Sequence, residues 1–88
     1  MQIDGALVRE QGVEFAIVIV KPHVINTQAA ADSARDGFAS IGDFSGLSIV
    51  LAAQDSQGVF TYQGRPDIVD FLAHIDASRI PWKRYLIS

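Results

Sequence analysis

The sequence predicts an α+β fold: a mixed sheet of four or five strands with two helices. Three observations carry this. Residues 15–20 and 47–53 form two runs apolar on both alternating faces, the second interrupted only by Ser48. Strands read this way when both of their faces are covered. Ile68, Phe71, Leu72 and Ile75 fall at i, i+3, i+4 and i+7, the spacing of an amphipathic helix. Between the two apolar runs, Ala30, Ala34, Phe38 and Ile41 also recur at helical spacing.

Each element follows from local chemistry. Residues 5–9 and 13–20 read as two strands joined by a short hairpin connection at Glu10, Gln11 and Gly12. Lys21 and Pro22 end the second strand, because proline has no N–H to give a ladder and biases Lys21 toward extended geometry. Asn26 or Thr27 then caps a helix over residues 27–41. Its apolar face is half alanine, so it packs close to a sheet, and Gly37 weakens it by about 0.5–1 kcal/mol relative to alanine. Residues 47–53 form the next strand, Asp55, Ser56, Gln57 and Gly58 a turn, and residues 59–62 the hairpin partner. Gly64 breaks the chain. Pro66 suits a first helical position, and Asp67 suits the positive end of the helix dipole. Arg79, Ile80 and Pro81 make a turn into a last strand over residues 82–87. That strand sets Trp82, Arg84 and Leu86 against Lys83, Tyr85 and Ile87.

The order is β-β-α-β-β-α-β. Without the first strand it is βαββαβ, the split βαβ plan of the ferredoxin-like fold, with an extra N-terminal strand. A right-handed crossover places the two apolar runs parallel in one sheet. The stretch "LSIVLAAQDSQGVFTYQGRPDIVDFLAHI" also resembles the end of a thioredoxin-like domain in its sequence of strand, hairpin, strand, glycine and helix. That resemblance implies an alternative fold, a degenerate thioredoxin-like α/β arrangement, and no redox activity. The family's cysteines are absent, and Ser45 and Gly46 stand where its proline precedes the hairpin.

Eighty-eight residues make a single small α/β domain, 1–88, of which 49% is apolar. A chain this short buries only about 60–65% of its unfolded surface, so self-association is an expectation from composition. There are no cysteines, which removes disulfides, thiolate metal sites and thiol nucleophiles. The first residues, Met1, Gln2, Ile3 and Asp4, carry no secretory signal pattern. The longest apolar run is six residues, far short of a membrane span. These features lead to the expectation of a cytoplasmic protein without membrane contact. The net charge of −3 argues against nucleic acid as a partner. The charge is uneven: residues 79–88 hold Arg79, Lys83 and Arg84 and no acidic side chain.

Two groups of residues carry possible chemistry. "AIVIVKPHVI" resembles the first strand of nucleoside diphosphate kinases, where a strand runs into lysine, proline and aspartate and the lysine contacts nucleotide phosphates. The resemblance implies an anion contact at Lys21. His23 stands where that family has aspartate, and the family's catalytic histidine segment is absent, so its phosphoryl transfer is not implied. Lys21 and His23 at a strand end, with the next helix N-terminus and Arg65, form a candidate anion site. In the tail, Trp82, Lys83, Arg84 and Tyr85 mix aromatics with cations, the composition of interface hot spots, and form a candidate interface. Asp70 and His74 lie at i, i+4, with no nucleophile placed beside them. His23 and His74 have no metal-ligand spacing, so no metal site is assigned.

No motif identifies a reaction, a catalytic residue or a cofactor. The functional expectation is a non-enzymatic protein-interaction or self-associating module, whose partner is a second copy or another protein. The alternative is a small-anion or nucleotide-binding protein using the strand end at Lys21 and His23. The first reading rests on a physical premise: two helices on one sheet face leave the second apolar face of residues 15–20 uncovered.

Overall fold

The computed structural model describes residues 2–10 and 12–86. Gln11 of the expected hairpin connection and Ile87 of the expected last strand lie outside the described residues. The chain forms strands β1 (Gln2–Glu10) and β2 (Val13–Val20), helix α1 (Gln28–Ala39), strands β3 (Ser48–Gln54) and β4 (Phe60–Gln63), helix α2 (Pro66–Ala73) and strand β5 (Lys83–Leu86). The five strands make one mixed sheet in the order β4-β3-β2-β1-β5. β2 and β3 pair in parallel, with Ile17 beside Val50 and Val18 beside Leu51. The other three pairings are antiparallel.

The ferredoxin-like order is not the one adopted. A split βαβ unit places another strand between the two parallel strands, whereas β2 and β3 are direct neighbours. The helices also take opposite faces. Ala16, Val18, Ile49 and Leu51 point to one side, against Ala31 and Phe38 of α1. Phe15, Ile17, Val50 and Ala52 point to the other, against Ile68 and Leu72 of α2. Successive side chains of a strand alternate between faces, so each central strand supplies both clusters. The second apolar face is therefore covered within the chain, and the premise of an open face is overturned. β1 is longer than expected at its N-terminal side, and it is not an edge strand. Ile3 pairs with Tyr85 of β5, while Ala6 pairs with Ile17 of β2.

Cover of the two faces is unequal. α1 has twelve residues, starts at a Thr27 cap whose Oγ1 accepts from the Ala30 N–H at 3.1 Å, and is extended by Phe44, fully buried in the connection that follows. α2 has eight residues, a length of about 12 Å. β2, also of eight residues, runs about 26 Å. The connection from α2 to β5 completes the second face with Ile75, Ala77, Ile80 and Trp82.

Gly58 and Gly5 are each required by the backbone, for different reasons. Gly58 has φ 85° and closes the β3–β4 hairpin: its N–H bonds Asp55 O at 3.1 Å, and Asp55 N–H bonds Val59 O at 3.0 Å. This is the three-residue hairpin loop that ends on a left-handed residue. Gly5 of β1 faces Val18, and a Cβ there would run into the Ile17 carbonyl oxygen, a backbone atom that no rotamer change moves aside. The Gly5→Ala variant is expected to lose about 1–3 kcal/mol, read as a lower urea midpoint at unchanged slope. In the same assay Gly37→Ala should gain about 0.5–1 kcal/mol, because its added Cβ meets nothing within 4 Å on an exposed helix face. Equal effects of the two changes would show that helix and strand propensity, not the Ile17 contact, governs both sites.

Candidate interaction surface

β4 is an edge strand, paired to β3 on one side only among the described residues. Its four residues, Phe60, Thr61, Tyr62 and Gln63, carry no charge. Long charged side chains and inward-pointing charges are the usual protection of an exposed edge. The opposite edge, β5, has that protection in Lys83 and Arg84. β4 has only its shortness. Ahead of it, Val59 is 59% exposed.

Beside β4 runs an open apolar groove of about 560 Å³. Its walls are Val59 and Thr61 on the strand side and Val69, Ala73 and Ile75 on the α2 side. The groove exists because α2 is short. Past Ala73 the chain turns away, with the His74 ring Nδ1–H donating to the Asp70 carbonyl oxygen at 2.7 Å. The i, i+4 pair thus meets through the backbone of Asp70 and not through its carboxylate.

The part of the face that α2 does not reach is roofed by aromatic rings. Phe60 stacks on Tyr62 at 6.1 Å and on Trp82 at 5.4 Å between ring centroids. Phe60 comes from one edge of the sheet and Trp82 from just before the strand at the other. Large rings can meet over the middle because Ala6 and Ala52 of the same face are small and fully buried. Trp82 is pinned by its Nε1–H, which donates to Ala77 O at 2.9 Å, a bond worth about 0.5–1.5 kcal/mol. All three rings remain partly exposed. Burial raises the Tyr62 phenol above its ordinary pKa.

The residues singled out in the tail are divided by β5 between two faces. Tyr85 is buried on the α1 side, edge-on to Phe44 at 5.1 Å, and Lys83 Nζ lies 5.3 Å from its ring centre. Arg84 points to the other side, where its Nε–H donates to Asp4 Oδ1 at 3.0 Å. Trp82 alone of the four joins the aromatic row.

Lys21 and His23 are exposed, on and after the end of β2, where Pro22–Ile25 form a 3-10 turn. Arg65 is elsewhere. It precedes α2 and lines a shallow groove with Arg35, Ser48 and Ile49. Ser48 and Ile49 stand beside Phe15 and Ala16 at the start of β2, so Arg65 sits about 17–20 Å along the strand direction from Lys21. The three cations are not brought together. Arg65 is a partner of Asp67, with Nε and Nη2 donating to its two oxygens at 2.7 and 2.6 Å. Among the described residues no three His, Cys, Asp or Glu side chains gather as a metal site would require, and no helix is long and apolar enough to cross a membrane. Sequence reasoning missed the groove, Phe44 and the aromatic row. The cue that existed for the row was Phe60, Tyr62 and Trp82 close to strand ends, at positions where the face of each ring is set only by pairing.

Compared with protein-family models, with curated proteins and with solved structures, the chain matches none.

The Arg65 hydrogen bonds hold the Asp67 carboxyl at about 2, below its usual 3.8. A depressed carboxylate adds stability above its unfolded pKa and loses it as pH falls through the folded one. This contribution is therefore complete only above about pH 5 and is mostly lost by about pH 2. An NMR titration of Asp67 should show a midpoint near 2, rising toward 3.8 in Arg65→Ala. A midpoint unmoved in that variant would assign the shift to the backbone N–H groups of α2.

Proposed function

We propose that this chain is a non-enzymatic protein-interaction module that binds along edge strand β4 and the groove beside it. One observation carries the reading. An uncharged sheet edge, open on its outer side among the described residues, adjoins an apolar groove and a row of partly exposed aromatic rings. An edge strand offers unpaired N–H and C=O groups to an extended segment, and pockets beside it receive alternate side chains. Aromatic rings held in place by packing supply contact area at little cost in side-chain entropy. The basic tail no longer supports a common patch, because β5 sends Tyr85 into the core and Lys83 and Arg84 to opposite faces. The anion-binding alternative rests on Lys21 and His23 alone once Arg65 lies at the far end of the strands. In its order of strand, hairpin, strand, glycine and helix, the portion 47–75 supports a thioredoxin-like reading of that portion only.

The test is a titration of isotope-labelled protein with short extended peptides of alternating apolar and polar residues, followed by amide chemical shifts. Shifts should centre on Phe60–Gln63, Val69 and Ala73, and should disappear when Val59→Lys charges the rim of the groove. Shifts centred on Lys21 to Asn26 would replace this reading with the anion site. Neither peptide binding nor self-association at β4 would end it.

A further inference from the structure

We propose that the partner of β4 is a second copy of this chain, with the two β4 strands paired antiparallel about a two-fold axis to form one continuous sheet. The inference rests on the interaction-module reading above and names its partner.

Self-complementarity is the reason. An isologous contact must satisfy itself under a two-fold rotation, and two antiparallel strands of the same sequence do so through their backbones. Directly opposed residues of an antiparallel pair point to the same face, so the axis passes through a residue opposed to its own copy. An axis at Thr61, within Phe60–Gln63, opposes Thr61 to the partner's Thr61 and Phe60 to the partner's Tyr62, an aromatic pair on the α2 face. Each copy has a net charge of −3, so two copies repel generally. The charge-free edge is where close approach costs least.

The ends of the strand carry opposite charges. Asp55 lies in the turn before β4, and Arg65 follows β4 by two residues. An antiparallel arrangement sets the Asp55 turn of one copy against Arg65 of the other, twice. Both groups retain capacity for this contact. Asp55 Oδ1 accepts from the Gln57 and Val59 N–H groups, which leaves Oδ2. The Arg65 side chain is half exposed, with Nε and Nη2 on Asp67, and a guanidinium has five N–H donors in all.

The other edge cannot serve in the same way. Two β5 strands paired about a two-fold axis at Lys83 or at Arg84 would oppose that cation to its own copy, and like charges directly opposite are destabilising. Joining β5 of one copy to β4 of the next would be heterologous and would build a ring or an open filament in place of a closed pair.

The experiment is light scattering across a concentration series on the full chain, with an isotope-filtered NOE measurement on a mixture of labelled and unlabelled protein. The expected result is a dimer with inter-chain contacts between Phe60 and the partner's Tyr62. Thr61→Lys, at an exposed position on the axis, sets two like charges opposite one another and should weaken association roughly tenfold or more while leaving thermal unfolding of the monomer unchanged. A second variant, Arg65→Glu, should weaken it through the end contacts. A monomer at every concentration, with β4 shifts on peptide addition intact, overturns the second-copy inference and leaves the module reading standing. A dimer that is insensitive to Thr61→Lys and shows inter-chain contacts on another surface overturns the second-copy inference, and if peptide addition also leaves the β4 shifts unmoved it overturns the module reading too.

Discussion

The parallel pairing of β2 with β3 is the constraint on which the rest of the molecule depends. Both strands are apolar on both faces, with Phe15, Ala16, Ile17 and Val18 buried side by side with Ile49, Val50, Leu51 and Ala52. A strand pair of this kind is stable only as the middle of a layered structure. The described residues form two α-helices, and the one way to cover two faces with two helices is to spend one on each. Placing α1 and α2 on opposite sides follows, and so does the route of the chain from β4 at one edge, across the α2 face, to β5 at the other.

The cost of that solution is thin cover. One short helix cannot roof a whole sheet face, and α2 leaves part of it to a loop and to rings stacked from both edges. The same shortness opens the groove beside β4. The candidate interaction surface is therefore a consequence of how a chain of 88 residues divides its apolar material, not a site added to a finished scaffold. Apolar side chains at its margin, Val59 above all, stay exposed among the described residues.

The candidate sites read from residue types fared according to how local their premises were. A strand end at Lys21 and Pro22, a Thr27 cap, a turn at Asp55 to Gly58 and a helix start at Pro66 are all decided within a few residues, and all are present. The grouping of Lys21 and His23 with Arg65 needed a knowledge of strand direction. β4 runs antiparallel to β3, so its C-terminal end, with Arg65, comes down at the foot of β2 and not at its top. The tail was read as one aromatic and basic patch because its residues are consecutive. Strand alternation separates consecutive residues onto opposite faces, and the pairing of Ile3 with Tyr85 decides which of them turn to the α1 side.

What the sequence by itself determined was the kind and order of the elements, the two-sided burial of residues 15–20 and 47–53, and the lack of thiol chemistry. These depend on periodicity, on proline and glycine stereochemistry and on composition, all of them local properties. The tertiary structure decided the strand order, the face taken by each helix, the interior position of β1 and the meeting of Phe60 with Trp82. The physical reason is that a βαββαβ chain satisfies its backbone hydrogen bonds in several strand orders. The choice among them is made by long-range packing: which arrangement buries both faces of the central pair with the helix lengths available.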